Sequence, residues 1–286
     1  MAAKPITLEQ YMALSGPNPS ARIAYGGEPS QYVELFRPQG EGMFPVVLLM
    51  HGGCWLKEFQ GIVQMRNLAG AFAAQGIAVW NIEYRRIDEY GGGYPGTYQD
   101  AAAALDLLVE RASAHHLDTR RLVAVGHSAG GHLVQWLAGR SHLPGTSDLH
   151  TKNPFPVRQV VALGSIGDLR RRAAGIEQVC GIDMKRLTGP PTCARPDVYT
   201  DTSPAELMPT GSHTVLINGD LDHVSPPQTA LDYAALARRA GDHVDTIVLP
   251  RASHFDEVCA SSPAWALILP VIHRALGMGA PSRALG

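Results

Sequence analysis

The sequence predicts an α/β fold: a mostly parallel central sheet with helices on both faces. Three observations carry that expectation. Short apolar runs alternate with segments of helical period, and several runs are apolar at every position rather than every second one. One of them, Leu122 to Val125, breaks into Gly126-His127-Ser128-Ala129-Gly130, after which Leu133 to Leu137 resume on a helical period. Strands apolar throughout are covered on both sides, and parallel neighbours need crossover helices.

In chain order, Thr7-Leu8-Glu9-Gln10-Tyr11-Met12 has the pattern of a short capped helix. The rest of residues 1–30, rich in Pro, Gly and Ser, reads as an N-terminal arm. Gln31 to Phe36 alternates as a half-buried strand, and Pro45 to Met50 is a central one. Gln64 to Ala74 is helical, Ile77 to Ile82 a strand, and Tyr98 to Val109 a helix ahead of the Leu122 strand. Val157 to Leu163 and Thr214 to Ile217 are further buried strands, followed by a helix at Ala230 to Ala240, a strand at His243 to Leu249 and a closing helix at Ala264 to Leu276. Gly91-Gly92-Gly93 and the segment 164–209 interrupt the alternation. So long a segment without strands is expected to form short helices roofing a cleft, with Arg170-Arg171-Arg172 keeping its outer face wet.

With 286 residues and 45% hydrophobic content, the chain is expected to form one domain over 1–286, with 164–209 as a lid insertion. Formal charge is −2, from 24 basic and 26 acidic residues, so neither nucleic acid nor an anionic membrane is an expected partner. No apolar run reaches the roughly 20 residues of a membrane span, and Met1-Ala2-Ala3-Lys4-Pro5 lacks a signal-like apolar core. The expectation is a cytoplasmic protein, monomeric or homodimeric, acting on a small molecule without a cofactor. Cys54, Cys180, Cys193 and Cys259 are too dispersed for a disulfide scaffold. Only Cys180 and Cys193 share a segment, which leaves a local bridge between them open.

Gly126 to Gly130 is a G-x-S-x-G elbow, in which small residues let a strand and a helix meet at a strained corner. Ser128 is the candidate nucleophile; the plain alternative is a glycine-rich turn with an incidental serine. A serine needs a base, and the base an orienting carboxylate. Asp222 in Asn218-Gly219-Asp220-Leu221-Asp222 follows one strand, and His254 in Ser253-His254-Phe255-Asp256 follows the next. Asp220 has the pattern of turn chemistry. His51-Gly52-Gly53-Cys54-Trp55 follows the central strand, so the N–H groups of Gly53, Cys54 and Ala129 are candidate oxyanion donors. His51 and His127 flank turns and read as structural, while His115, His116, His150 and His223 show no partner pattern. No ligand spacing indicates a metal.

From about Pro45 to Leu276 the chain resembles the α/β-hydrolase superfamily. Its HGG-x-W turn and GHSAGG elbow are similar to the branch holding hormone-sensitive-lipase-type carboxylesterases and kynurenine formamidases. Asn81-Ile82-Glu83-Tyr84-Arg85-Arg86, then Tyr94-Pro95-Gly96 leading to Asp100, resembles that branch too. The resemblance implies an α/β-hydrolase fold and a Ser128-Asp222-His254 triad with Gly53, Cys54 and Ala129 as oxyanion donors. It also keeps Asp168 as a rival acid, since some relatives place the acid one strand earlier. Cys54 stands where lipase-type relatives have a third glycine, which implies a narrower oxyanion loop. That departure and His254-Phe255-Asp256 tilt the resemblance towards formamidases. The implied function is a serine hydrolase of small carboxylic esters or an aryl formamide. Kynurenine formamidase proper is one alternative, and a non-catalytic small-molecule-binding member of the fold is another.

Overall fold

The computed structural model describes residues 4–59 and 61–279; Met1 to Ala3, part of the stretch read for a signal, lie outside that range. The strands are β1 (Ala21–Ala24), β2 (Tyr32–Phe36), β3 (Phe44–Met50), β4 (Ala78–Ile82), β5 (Leu117–His127), β6 (Gln159–Leu163), β7 (His213–Gly219) and β8 (His243–Leu249). The helices are α1 (Leu8–Met12), α2 (Ile62–Ala74), α3 (Gly96–Arg111), α4 (Ala129–Ala138), α5 (Leu169–Cys180), α6 (Met184–Thr188), α7 (Pro227–Ala240) and α8 (Trp265–Ala275). One sheet runs in the order β1-β2-β4-β3-β5-β6-β7-β8. β2 pairs antiparallel with β1 and β4, and every other neighbour is parallel.

The central strand shows why consecutive apolar residues are needed. Val46, Leu48 and Met50 join a core with Trp80, Leu105, Leu133 and Trp136 on the face covered by α3, α4 and α7. Val47 and Leu49 point the other way, into a core with Met65, Leu68 and Phe72 of α2 and Ile268 and Ile272 of α8. A polar residue at any of these positions would have to find a partner inside the protein.

The departures from expectation have local causes. β2 is buried rather than half-buried, because α2 covers its outer face and Arg66 Nε donates to Glu34 Oε2 at 2.9 Å. β1 lies inside the stretch read as arm; four residues at an edge leave too short a pattern to read. β5 begins earlier than expected, at Leu117, because it bulges between Asp118 and Leu122, where Arg120 and Arg121 both fold back on Asp118. The arm is not detached: α1 carries the expected capping box, and Tyr11 is buried in the core behind it. Segment 164–209 contains α5 and α6 as short helices, and Ile182, Met184 and Leu187 belong to the core rather than to a cleft wall.

α4 starts at Ala129, directly at the corner, so Gly130 and Gly131 lie inside a helix. A Cβ on Gly130 would stand 2.3 Å from the Met50 carbonyl oxygen and 2.4 Å from that of His51, and one on Gly126 would stand 2.2 Å from the Gly130 oxygen. We expect Gly130→Ala to destabilise the protein by about 3 kcal/mol or more, the range of severe overpacking, despite alanine's better helix propensity. Urea denaturation measures it, and a variant as stable as the parent would mean that β3 and α4 can separate at no cost.

Candidate active site

Ser128 closes β5 and caps α4 with φ 52° and ψ −116°, a left-handed conformation that is costly for a residue with a Cβ. Neighbours hold it there. Its N–H donates to the Leu163 carbonyl at 2.8 Å, and its own carbonyl accepts from His132 N–H at 3.0 Å. Ala129 is buried at the first position of α4, where backbone N–H groups lack helical partners.

β7 and β8 end on the same edge of the sheet as β5. The loop after β7 carries Asp222, and the loop after β8 carries His254. His254 Nδ1–H donates to Asp222 Oδ2 at 2.7 Å, both side chains being buried. The other carboxylate oxygen accepts the N–H groups of Val224 and Ser225, each at 2.8 Å, so Asp222 is fixed as an acceptor on both sides. In a neutral imidazole this hydrogen bond selects the tautomer whose lone pair is on Nε2. Ser128 and His254 line one pocket of 150 Å³ with Gly53, Cys54, Tyr11 and Phe255, without a direct hydrogen bond between them. Such contacts commonly tighten when substrate binds.

Asp168, the rival acid, is instead the N-cap of α5, accepting from Arg171 N–H at 3.1 Å. Asp220 has the turn role expected of it, accepting from Ala252 N–H at 3.2 Å. His127 Nε2–H donates to the His254 carbonyl at 2.9 Å, and burial holds its pKa well below the usual histidine range. His132 is also buried and pushed down to about 4; it hydrogen-bonds the Thr202 carbonyl.

The turn after β3 has positive φ at Gly53, Cys54 and Trp55, at 103°, 51° and 54°. His51 braces it: its Nε2 lies 2.8 Å from Glu83 Oε1, its ring stacks on Tyr84 at 4.3 Å, and the Tyr84 hydroxyl donates to the His51 carbonyl at 2.9 Å. Arg85 then anchors that segment to α3 through Nε and a terminal nitrogen on the Asp100 carboxylate, both at 2.8 Å. Cys54 does more than fill space at the turn, because it is bridged to Cys180 at the end of α5. Cys193 is free and exposed, so the local bridge left open on sequence grounds does not form.

The bridge places α5 over Ser128. A recess of only 10 Å³, about the size of one water, lies there between Trp55, Ile166 and Ile176. On the other side α1 borders the wider pocket through Leu8 and Tyr11. That contribution was invisible in the arm's sequence, as it depends on Ile6 N–H donating to Asp256 and on Ser253 Oγ donating to the Ile6 carbonyl. A larger groove of 520 Å³ at the opposite ends of β5 and β6 holds none of these groups.

Glu257 is the residue that sequence reasoning missed. It is fully buried, its Oε1 accepts Gly219 N–H at 2.7 Å, and its Oε2 lies 4.0 Å from His127 Nε2. Burial first, then the Asp222 charge, push its pKa well above the ordinary glutamate range. Among the described residues, two sets of donors lie close enough to share a cation. His127, His254 and Glu257 belong to this site, where two of the three already make hydrogen bonds to Asp222 and a carbonyl. His213, His243 and Asp245 sit at the opposite ends of β7 and β8.

A family model described as BD-FAE matches residues 33–235, well over half of the chain. The chain belongs to the BD-FAE family. Family and architecture together agree with the α/β-hydrolase fold that the elbow and the turn after β3 implied. A probable isoprenylcysteine alpha-carbonyl methylesterase of Arabidopsis thaliana is 30% identical over 112 residues, which is 39% of this chain and 26% of that protein. An uncharacterized peptidase of Bacillus subtilis is 32% identical over 127 residues, 38% of this chain and 18% of that one. The chain thus spans about a quarter or less of the length of these relatives. An inhibited esterase B from Lactobacillus rhamnosis superposes with a TM-score of 0.74 at 19% identity, covering 93% of this chain and 90% of the other. A truncated carbohydrate esterase from gut microbiota gives 0.72 at 16% identity, covering 96% and 100%. At those identities the likeness concerns the fold. No helix among the described residues is long and apolar enough to cross a membrane.

The geometry separates the two candidate acids. Asp222→Asn should lower turnover of an activated ester by about 10³-fold or more, and Asp168→Asn by no more than a few-fold. Steady-state kinetics of both variants decides, and a larger loss at Asp168 would displace Asp222. Glu257 gives a pH effect whose sign follows from its raised pKa. Its contribution to stability is complete below the ordinary value of 4.5 and is lost as pH rises towards the raised value. Glu257→Gln, always neutral, should therefore gain melting temperature relative to the parent as pH goes from acid to neutral. Parallel melting curves would show Glu257 ionised in the fold.

Proposed function

We propose that this chain is a serine esterase in which Ser128 is the nucleophile, His254 the general base and acid, and Asp222 the orienting carboxylate. The observation that carries this is the 2.7 Å bond between His254 and Asp222, in a pocket shared with Ser128. His254 Nε2 takes the Ser128 proton as Oγ attacks the ester carbonyl carbon. The oxyanion meets N–H groups of Gly53, Cys54 and Ala129, and its collapse expels the alcohol, which takes the proton from His254. Water, deprotonated by the same nitrogen, then attacks the acyl-enzyme, releasing the carboxylic acid and restoring Ser128. We propose further that residues 1–286 act as one unit with 164–209 as lid.

The small recess beside Ser128 supports a short acyl group, with the alcohol in the wider apolar pocket. An aryl formamide would use the same chemistry, and formyl is the smallest acyl group. That second reading rests on the recess and on the motif resemblance. The Cys54–Cys180 bridge suits an oxidising compartment better than the cytoplasm expected from composition.

The test is a panel of 4-nitrophenyl acetate, butyrate and octanoate with N-formylkynurenine. Acetate should be preferred to octanoate by about tenfold or more, each missing or clashing methylene counting for roughly 1–3 kcal/mol in a tight pocket. Ser128→Ala should lose about 10³-fold or more in turnover while keeping its melting temperature. Retention of turnover within tenfold by the alanine variant would remove Ser128 from the mechanism. Preference for octanoate would remove the short-acyl reading and leave the triad.

A further inference from the structure

The arginine run at the start of α5 divides in the fold. Arg170 Nε donates to Glu206 at 2.8 Å and a terminal nitrogen to Asp197 at 2.6 Å, while Arg171 lies 3.4 Å from Asp168. These two keep the outer face polar, as expected. Arg172 does not join them. Among the described residues its guanidinium has no hydrogen-bond or ion-pair partner; it is half-buried and lines the recess beside Ser128.

Helical period explains its direction. Arg172, Gly175, Ile176, Val179 and Cys180 occupy i, i+3, i+4, i+7 and i+8 of α5, and all line the recess. The lid therefore presents one face to Ser128, and that face begins with a cation. Arg172 is the one Lys, Arg, Asp or Glu among the described residues bordering either the recess or the wider pocket. Packing does not require it, since the rest of the stripe is small or apolar. A guanidinium stays charged at any working pH, and against apolar walls its attraction for an anion is less screened than in water.

We propose that Arg172 binds an anionic group of the substrate, and that the site takes esters bearing a carboxylate near the scissile bond. A carboxylate matches the planar donor fork of arginine. This rests on the esterase reading above and adds a charge requirement to it. The carboxylate belongs either to the acyl part, as in the monoester of a dicarboxylic acid, or to the alcohol part, as in an acetylated hydroxybenzoate.

Two matched pairs distinguish these sources: mono-4-nitrophenyl succinate against its methyl ester, and 4-acetoxybenzoate against its methyl ester. The readout is the ratio of kcat/KM within each pair, so a general effect of a substitution on turnover cancels. The parent should prefer the acid in one pair by about 10- to 100-fold, the range of a hydrogen-bonded charge. Arg172→Gln should bring that ratio to near one, mainly through KM, and Arg172→Lys should keep part of it. Added salt should shrink the parent's ratio. A parent that hydrolyses both members of each pair equally, or a ratio unchanged by Arg172→Gln, overturns the assignment and leaves the esterase reading intact. In that case the side chain only covers the rim of the recess with its aliphatic stem. A parent that hydrolyses no ester at all overturns both.

Discussion

Where β3, β5 and α4 meet, three backbones approach so closely that no side chain fits between them. A Cβ on Gly126 would fall 2.2 Å from the Gly130 carbonyl oxygen, and one on Gly130 would fall 2.3 Å from that of Met50. Because of that contact the first turn of α4 lies directly against the end of the central strand. Ser128 is forced into its left-handed corner, and the turn after β3 is brought beside the helix N-terminus. A wider corner would leave the serine and the candidate oxyanion donors in place along the chain but apart in space.

The parallel register then assembles the rest. Leu163 of β6 pairs with His127 of β5 and with Ile217 of β7, so successive strands end on one edge. Loops leaving that edge deliver Asp222 and His254 without any long excursion of chain. The cost is a cluster of polar groups in a dry place: Asp222, His254, His127 and Glu257 are all buried. Backbone N–H groups satisfy much of it, two on Asp222 and one on Glu257. Burial first, and then the Asp222 carboxylate beside it, hold Glu257 towards its neutral form. Two full negative charges there would compete for the same imidazole.

What the sequence revealed follows the reach of each signal. The buried strands and the main helices were legible because hydrophobic period is local, and so was the elbow, whose glycines are contiguous. Asp222 and His254 were legible because each follows a strand end. β1 was not, being too short for a period, and neither was the role of α1, since Tyr11 reaches the pocket through contacts with a loop about 250 positions away. Cys54 was read as a volume at the oxyanion loop, whereas its sulfur is bonded to Cys180 at the end of α5. Arg172 was grouped with its two neighbours. A run of like charges hides which member points inward until the phase of the helix is known, and in the fold that phase shows in the burial of Ile176 and the bridging of Cys180.

The bridge between Cys54 and Cys180 spans 126 positions and has a topological consequence. It closes a covalent ring that contains β4, β5, β6 and Ser128, while β7, β8, Asp222 and His254 hang from it as an open tail. On the chain-entropy view a ring of that size restrains the unfolded ensemble by about 5 kcal/mol, but only over the part that it encloses. Ser128 therefore remains confined with its strand neighbours even when the fold is lost. His254 and Asp222 return to it only when the tail docks, strand by strand, on β6. A backbone cut inside the ring would leave both fragments joined through sulfur, whereas a cut between Cys180 and His254 would sever Ser128 from His254.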